Sequence, residues 1–490
     1  MRRGAGPAAR LRTLLLATVA TLVLPGCGGK GIDTSPAPGG GTDCGAARLN
    51  SAVLDTARQW YLFPELLPAN PNPAAYASVD EFLNVLTAEA RAQGKDRFFS
   101  STTSIAQENQ LLQGQTAGFG FTLLERASPA GVAVGQVFAG SPAADVGFAR
   151  GDELLAIGES EATLQPISQV LTAAGGLEGA IGPSTSGLVR ALRWRSASGV
   201  QRTATLSKRV FGLDAVPAAS VRVLTLAGGA RVGHLTLRSF VTDPVVSGQA
   251  ADLAALRAAF ARFRSDGVRD VVIDLRYNGG GLVSIAALLL DLLAGDRAGQ
   301  VAFETRYNAQ QAARLETQRL ATQPETLPAL RVAFVVTDRT ASASELVINA
   351  LAPYAQTAII GSRTFGKPVG QLAFDIAACD FRLRLVAFRS VNRNGDGDYY
   401  GGLPYPGLAR SGGVACAASD DLAHEPGDPQ EGMTAEALAW IGSPTGQCGG
   451  GTIAAAASSA GLGDGPATAR QAIWPSAARG LLQYYLPGTY

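Results

Sequence analysis

Two short apolar runs, residues 271–275 (VVIDL) and 332–336 (VAFVV), most constrain the fold of this chain. Neither run alternates apolar with polar side chains, so each predicts a strand that is buried on both faces. Helical patterns at residues 250–263 and 284–293 flank the first run, and a third apolar strand follows at 358–360. Alternating strands and helices of this kind predict a mostly parallel sheet with helices on both faces.

The N-terminus has the pattern of an export signal. Four arginines precede an apolar run at residues 14–24, which is too short for a comfortable transmembrane helix. The run ends in LPGC, which resembles a bacterial lipobox and implies lipidation of Cys27. An ordinary cleaved signal with an incidental cysteine is the alternative. Residues 28–43 are rich in Gly, Pro and Ser and predict a flexible spacer.

These features predict a periplasmic protein held at a membrane by its lipidated cysteine. Gly28 follows Cys27 where an inner-membrane retention signal would have aspartate, so the outer membrane is favoured. No second apolar span of membrane length follows. The formal net charge of +1 and the 17% of charged residues create no basic field, which argues against a nucleic-acid partner.

Four cysteines remain after Cys27, namely Cys44, Cys379, Cys416 and Cys448. An oxidising compartment favours disulfides, and the three pairings stay open, with a slight preference for Cys379–Cys416. No CxxC spacing supports a metal, and no cofactor is expected. Residues 392–398 space oxygens like a calcium loop, but Leu403 stands where such a loop needs glutamate, so a turn between strands is favoured.

The chain divides by composition into six segments. We expect a signal peptide at 1–27, a linker at 28–43, a helical N-terminal domain at 44–112, a β-rich domain at 113–208, an α/β core at 209–445, and a low-complexity and C-terminal tail at 446–490. The fold class is therefore multidomain α/β.

The β-rich segment resembles a PDZ domain of the bacterial protease type. The sequence GFGF at Gly118, Phe119, Gly120 and Phe121 precedes a strand, an SPA helix start at 141–143 and the pattern GDELLAI. The resemblance implies that N–H groups of the GFGF turn hold a C-terminal carboxylate while the adjoining strand edge pairs with the peptide. A plain hairpin is the alternative interpretation.

Ser342 is the candidate nucleophile. It follows the strand at 332–336 at the expected start of a helix, so the helix N-terminus faces its oxygen. There the N–H of Ala343 would face a developing oxyanion, and a second donor would come from the glycine turn, first Gly280 and then Gly281. A routine helix cap and a routine turn are the alternative.

A serine nucleophile needs a base, and the chain has only two histidines. Lys367 lies in the uncharged run TFGKPVG, which suits a desolvated amine of lowered pKa, and Gln371 would orient it. A solvated loop lysine is the alternative. His234 alternates within an apolar strand and is interpreted as a packed residue.

The motifs DLRYNGGG (274–281), SASE (342–345) and TFGKPVGQ (364–371) together resemble the C-terminal-processing (tail-specific) serine peptidases. The resemblance implies a crotonase/ClpP-like α/β core. It also implies roles for particular residues: Ser342, Lys367 and Gln371 as catalytic residues, Gly280 and Ala343 as oxyanion donors, and Glu345 and Thr364 as supporting residues.

The resemblance implies a serine endopeptidase that cleaves exported proteins near their C-termini through an acyl-enzyme. Its partners would be unfolded or C-terminally exposed proteins. Two alternatives remain open, a non-catalytic peptide-binding lipoprotein and an esterase or amidase with the same Ser/Lys pair. The natural substrate and the oligomeric state do not follow from the sequence.

Overall fold

The computed structural model describes residues 32–33, 43–127, 130–242 and 253–454. The predicted signal peptide with Cys27, most of the predicted spacer, and the tail from residue 455 lie outside these residues. Among the described helices, none has both the length and the apolar character needed to cross a membrane.

The described residues include twelve α-helices. They are α1 (Ala46–Trp60), α2 (Val79–Leu86), α3 (Ala88–Ala92), α4 (Ile105–Leu112), α5 (Pro142–Asp145), α6 (Ile167–Val170), α7 (Gly176–Ile181), α8 (Ala254–Ser265), α9 (Val283–Ala294), α10 (Ala343–Leu351), α11 (Pro406–Arg410) and α12 (Gly432–Gly442).

The same residues include twenty strands in four sheets. They are β1 (Ile32–Asp33), β2 (Ser101–Ser104), β3 (Gln115–Gly118), β4 (Phe121–Ala127), β5 (Ala130–Val137), β6 (Glu153–Gly158), β7 (Gln165–Pro166), β8 (Val189–Arg195), β9 (Gln201–Ser207), β10 (Arg209–Gly212), β11 (Arg222–Thr225), β12 (Arg231–Thr236), β13 (Asp270–Asp274), β14 (Val301–Tyr307), β15 (Glu316–Arg319), β16 (Arg331–Val336), β17 (Gln356–Gly361), β18 (Val369–Ile376), β19 (Phe381–Asn392) and β20 (Val414–Ala417).

The α/β core contains the predicted parallel sheet. Its strand order is β11-β12-β13-β16-β17-β20, and every neighbouring pair is parallel except β11 with β12. Helices α9 and α10 contribute to the large apolar core on one face. Helix α12 covers the other face through Met433 and Trp440. The prediction of a mostly parallel sheet with helices on both faces is therefore confirmed.

A second, largely antiparallel sheet was not predicted as a unit. It has the order β18-β19-β14-β15, with β1 against β18 and β2 against β19. Strand β18 starts two residues after Lys367, so this sheet positions the candidate base. Its β2 strand also lies within the segment 44–112, which we expected to be a helical domain.

The N-terminal domain packs on this second sheet. Val53 and Trp60 lie on one face of α1 and share an apolar core with Leu383 and Leu385 of β19. Helix α2 begins after Ser78, whose hydroxyl accepts the N–H of Glu81 at 3.2 Å and so caps the helix. The N-terminal domain thus shares its apolar core with the sheet that positions Lys367.

The β-rich domain is an antiparallel sheet of order β4-β5-β6-β8-β9, with β7 beside β6. Its own core includes the stacked rings of Phe148 and Trp194, whose centroids are 4.1 Å apart. Among the described residues, β4 pairs only with β5, so it is an edge strand.

The disulfides differ from the slight preference at the sequence level. Cys44 is bonded to Cys379 and Cys416 to Cys448, so the pairing Cys379–Cys416 is wrong. The first bond connects the start of the N-terminal domain to the turn between β18 and β19, and spans 335 residues. Sequence spacing carries no information on such a long-range contact.

Residues 392–398 form the expected turn after β19. The Asn392 side-chain oxygen accepts the N–H groups of Asn394 at 2.9 Å and Asp396 at 3.1 Å, which is an Asx-type turn. The carboxylates of Asp396 and Asp398 form ion pairs with arginines.

Candidate active site

Ser342 occupies a strained turn between β16 and α10. Its backbone has φ +58° and ψ −115°, a combination that non-glycine residues rarely adopt. Ala343 begins α10, and the serine is half-buried at the helix N-terminus. A sharp strand-to-helix turn of this type presents a side chain outward, as a nucleophile requires.

The glycine turn after β13 lies directly against this serine. The carbonyl of Asn278 accepts the N–H of Ala341 at 3.0 Å and the hydroxyl of Ser344 at 3.1 Å. Gly280 has φ +106°, and a Cβ there would lie 2.8 Å from the Cβ of Ser342. Only glycine fits at this position.

The structure changes the assignment of the oxyanion donors. The N–H of Gly280, the preferred donor, instead donates to the side-chain oxygen of Asn278 at 2.9 Å. The prediction for Gly280 does not fit this geometry, because its only N–H is used inside the turn. Gly281 lines the cleft beside Ser342. Ala343 is the first residue of α10, so its N–H has no acceptor within the helix.

Lys367 is buried, with 3% of its surface exposed. The pKa of its amine is lowered to about 7, mainly by burial; the charge of Asp96 opposes this shift, Arg384 adds to it, and Glu345 opposes it. An amine with this pKa is neutral in about half of the molecules at neutral pH. It can therefore accept a proton, as the sequence predicts for a base.

Gln371 makes the contact expected of it. The Nζ of Lys367 donates to the Gln371 side-chain oxygen at 2.7 Å. The amide nitrogen of Gln371 in turn donates to the main-chain carbonyl of Phe99. Because its nitrogen is held by a carbonyl, Gln371 presents its oxygen to the lysine.

The Glu345 carboxylate joins the serine motif to the lysine motif. One oxygen accepts the N–H groups of Ser342 at 2.9 Å and Lys367 at 2.8 Å. The other accepts the N–H of Gly366 at 2.7 Å and the hydroxyl of Thr364 at 2.5 Å. Burial raises the pKa of Glu345, while these donors lower it. Glu345 and Thr364 thus occupy the supporting positions predicted for them.

One cleft brings these groups together. It is lined by Gly279, Gly281, Ser342, Lys367, Gln371 and Arg384, with Leu112, Leu282, Val283, Gly370 and Phe388 supplying apolar surface. The three motifs of the sequence therefore meet at one site.

Several residues at the site carry no local sequence signal. Arg384 of β19 lines the cleft and pairs with the buried Glu108 of α4 at 2.5 Å. Arg97 and Phe99 of the N-terminal domain contact the lysine motif. Each of these contacts spans more than 260 residues, so no spacing pattern could have indicated it.

Other predicted residues lie elsewhere. All four residues from Gly118 to Phe121 are buried, and the Gly120 carbonyl accepts the N–H of Phe138 and the hydroxyl of Ser141. Arg339, three residues before Ser342, donates to the carbonyl of Leu123 on the edge strand β4 at 2.8 Å. His234 is buried in β12, as interpreted from the sequence.

Comparisons with known proteins agree with this architecture. The family model described as peptidase family S41 matches residues 231–399, and the model of the peptidase S41 N-terminal domain matches residues 48–101. The first match contains Ser342, Lys367 and Gln371. The second contains α2, α3 and most of α1.

Curated relatives match over a shorter region. The chain is 31% identical over 144 residues to "Probable CtpA-like serine protease" of Staphylococcus aureus (strain N315), and 28% identical over 140 residues to the protein of the same name in Staphylococcus epidermidis (strain ATCC 12228). Each alignment covers 29% of this chain and 26% of the relative. The chain thus matches about a quarter of the length of these relatives.

A solved structure extends the similarity of fold. The crystal structure of "Putative S41 protease from Bacteroides fragilis NCTC 9343" has a TM-score of 0.59 and 23% identity, and the match covers 83% of this chain and 99% of that one. Both family models match in chain order, on the domains that meet at the candidate site. Residues 48–101 and 231–399 are thus similar in sequence to the two domains of peptidase family S41.

Proposed function

We propose that this protein is a serine endopeptidase that cleaves exported proteins near their C-termini, with Ser342 as nucleophile and Lys367 as general base. One observation carries the proposal. A buried lysine, whose pKa is lowered to about 7, shares a cleft with a strained serine at a helix N-terminus. Burial alone does not indicate a function, because Lys208 is also buried and donates to the carbonyls of Gly182 and Pro183. Lys367 differs because it lies in the same cleft as Ser342.

The chemistry follows from the positions of these groups. Neutral Lys367 accepts the proton of the Ser342 hydroxyl as its oxygen attacks a peptide carbonyl. The N–H groups of Ala343 and Gly281 stabilise the resulting oxyanion. The lysine then returns its proton to the leaving amine, which gives an acyl-enzyme that water hydrolyses. No metal or cofactor takes part in these steps.

The β-rich domain supplies substrate recognition in this proposal. A substrate peptide would add along the edge strand β4, whose Leu123 carbonyl accepts a hydrogen bond from Arg339. The residues from Gly118 to Phe121 are buried, so a C-terminal carboxylate reaches that turn only when its covering residues move. The proposal also includes lipidation at Cys27 and an outer-membrane location. These two parts are based on the sequence alone.

The test compares wild type with Ser342→Ala, Lys367→Ala and Lys367→Arg on an unfolded reporter with an apolar C-terminal tail. All three variants should lose at least about 1000-fold in cleavage rate, because Ser342→Ala removes the nucleophile and the two Lys367 variants leave the serine without a base. Lys367→Arg is the matched control for charge, since a guanidinium remains protonated. A serine-reactive fluorophosphonate probe reports Ser342 without any requirement for tail recognition.

The outcomes separate the alternatives. Equal cleavage by wild type and all variants would remove this Ser/Lys pair from the mechanism. Probe labelling without cleavage of any protein, but with turnover of a small ester, would favour an esterase. Absence of both labelling and cleavage in the wild type would favour the peptide-binding lipoprotein. Circular dichroism of each variant excludes unfolding as the cause.

The rate of acylation should depend on pH through Lys367. Since the lysine acts as a base when neutral, labelling of Ser342 should rise about tenfold per pH unit below the pKa of about 7 and level off above it. The measurement is the labelling rate from pH 5 to 9. A rate that continued to rise toward pH 10 would indicate a solvated lysine and contradict the burial.

A further inference from the structure

The N-terminal domain reaches into the lysine motif through Arg97. This arginine donates to the main-chain carbonyls of Phe365, at 2.8 Å, and Gly366. Its guanidinium also lies over the ring of Phe365, 4.4 Å from the centroid. These carbonyls immediately precede Lys367, so Arg97 fixes the backbone that carries the lysine.

Phe99 makes two further contacts with the same group. Its carbonyl accepts the amide of Gln371, and its ring centroid is 5.3 Å from the Nζ of Lys367. Phe99 is itself fully buried, and its ring also meets that of Phe365 at 6.0 Å. The two rings therefore cover the lysine with apolar surface that excludes water.

Asp96 fixes the backbone of residues 96–100 through hydrogen bonds. Its buried carboxylate accepts the N–H groups of Phe99 and Ser100 at 2.7 and 3.0 Å, and the hydroxyls of Ser100 and Tyr61 at 2.6 and 2.9 Å. The Ser100 oxygen accepts the N–H of Val386 in β19 at 3.1 Å. The segment is thus anchored both to its own domain and to the sheet of the core.

We propose that residues 96–100 position the general base: Arg97 holds the Lys367 loop, while Phe99 orients Gln371 and keeps water from the amine. The inference rests on the proposed function only in calling Lys367 a general base. The contacts that hold Lys367 in place do not depend on that function. The N-terminal domain would then be part of the active site, beyond any role in assembly.

The charged groups around the Lys367 amine stay the same in the Phe99 variants, so a change in its pKa would come from water alone. Asp96 faces it from the N-terminal segment, Glu345 from α10 and Arg384 from β19. None of them is altered when Phe99 is replaced. A smaller side chain at position 99 admits water, which stabilises the protonated amine and raises its pKa.

The chain makes a direct measurement feasible, because it has only four lysines: Lys30, Lys95, Lys208 and Lys367. The full chain would be labelled with ¹³C at lysine Cε, and the four signals followed by NMR from pH 5 to 11. Lys367→Arg identifies the Lys367 signal by its loss. Lys208 is an internal control, since burial in the β-rich domain also lowers its pKa to about 7.

We expect Phe99→Ala to raise the pKa of Lys367 by about 1 unit or more, and Phe99→Leu to preserve it, because leucine still excludes water. The pKa of Lys208 should not change in either variant. The acid limb of Ser342 labelling should shift by the same amount as the Lys367 signal. A Lys367 pKa that is unchanged in folded Phe99→Ala would overturn the inference.

Arg97 provides a second variant pair that does not empty a core position. Arg97→Met should raise the pKa of Lys367 and slow labelling at least about tenfold, whereas Arg97→Lys, which can make only part of the contact, should fall between. If both the Lys367 pKa and the labelling rate are unchanged in Arg97→Met, the inference is overturned even if Phe99→Ala fails to fold. Absence of labelling in wild type, with the NMR shifts as expected, would instead refute the proposed function and leave the positioning intact.

Discussion

Replacing Glu345 with alanine should abolish proteolysis and lower the stability of the core. The substitution leaves four buried donors without their acceptor, namely the N–H groups of Ser342, Gly366 and Lys367 and the hydroxyl of Thr364. Each such group costs about 1–3 kcal/mol, so a total loss of about 3–6 kcal/mol is expected after partial rehydration. The serine and lysine motifs also lose their shared acceptor, which should reduce the cleavage rate at least about 100-fold.

The measurement is thermal unfolding together with the rate of probe labelling. Glu436→Ala is the matched control, since Glu436 also accepts two backbone N–H groups, those of Gly449 and Gly450, but lies at a more exposed position on helix α12. It should cost under about 1 kcal/mol and leave labelling unchanged. An active Glu345→Ala enzyme of normal stability would show that the carboxylate does not join the two motifs.

Replacing Lys367 with methionine should produce an inactive protein that is more stable than wild type. Folding lowers the pKa of this amine from roughly 10.4 to about 7, and each unit corresponds to about 1.4 kcal/mol. The native state therefore bears a penalty of about 4 kcal/mol at neutral pH. Methionine removes the penalty but also the hydrogen bond to Gln371, so a net gain of about 2–3 kcal/mol is expected.

The pH dependence of this gain provides a strict test. Between about pH 7 and 10.4 the unfolded chain binds a proton on Lys367 that the native state does not, so wild-type stability rises with pH in this range. Below pH 7 both states are protonated and the penalty is complete. The difference in thermal midpoint between Lys367→Met and wild type should therefore be largest below pH 7 and shrink toward pH 10. Lys95→Met, at a more exposed site, is the comparison for the loss of a lysine side chain.

Much of the fold could be predicted because its signals are local. The apolar runs at 271–275 and 332–336 are parallel strands, since only a sheet covered on both faces buries such runs. The helix after Ser342 and the glycine turn beside it also follow from short motifs. The second sheet could not be predicted, because its strands β14, β18 and β19 pair antiparallel across distant parts of the chain.

The candidate site divides in the same way. The contact of Gln371 with Lys367 was predictable, since four residues separate them. Gly280 was predicted to donate its N–H to the oxyanion, and this role was wrong. Its lack of a side chain allows close approach to Ser342, but its N–H donates to Asn278. Residue type indicates that a turn is tight, whereas the direction of an N–H depends on the side chains around it.

The contact between Arg97 and the carbonyl of Phe365 joins residues that are 268 positions apart. Ser342 and Lys367 are 25 positions apart, whereas residues 96–100, which contact the lysine motif, precede both by more than 240. The lysine loop therefore gains its full set of contacts only when the N-terminal domain has packed on the core. Formation of the candidate site thus depends on the folding of both domains and cannot be completed by the local motifs alone.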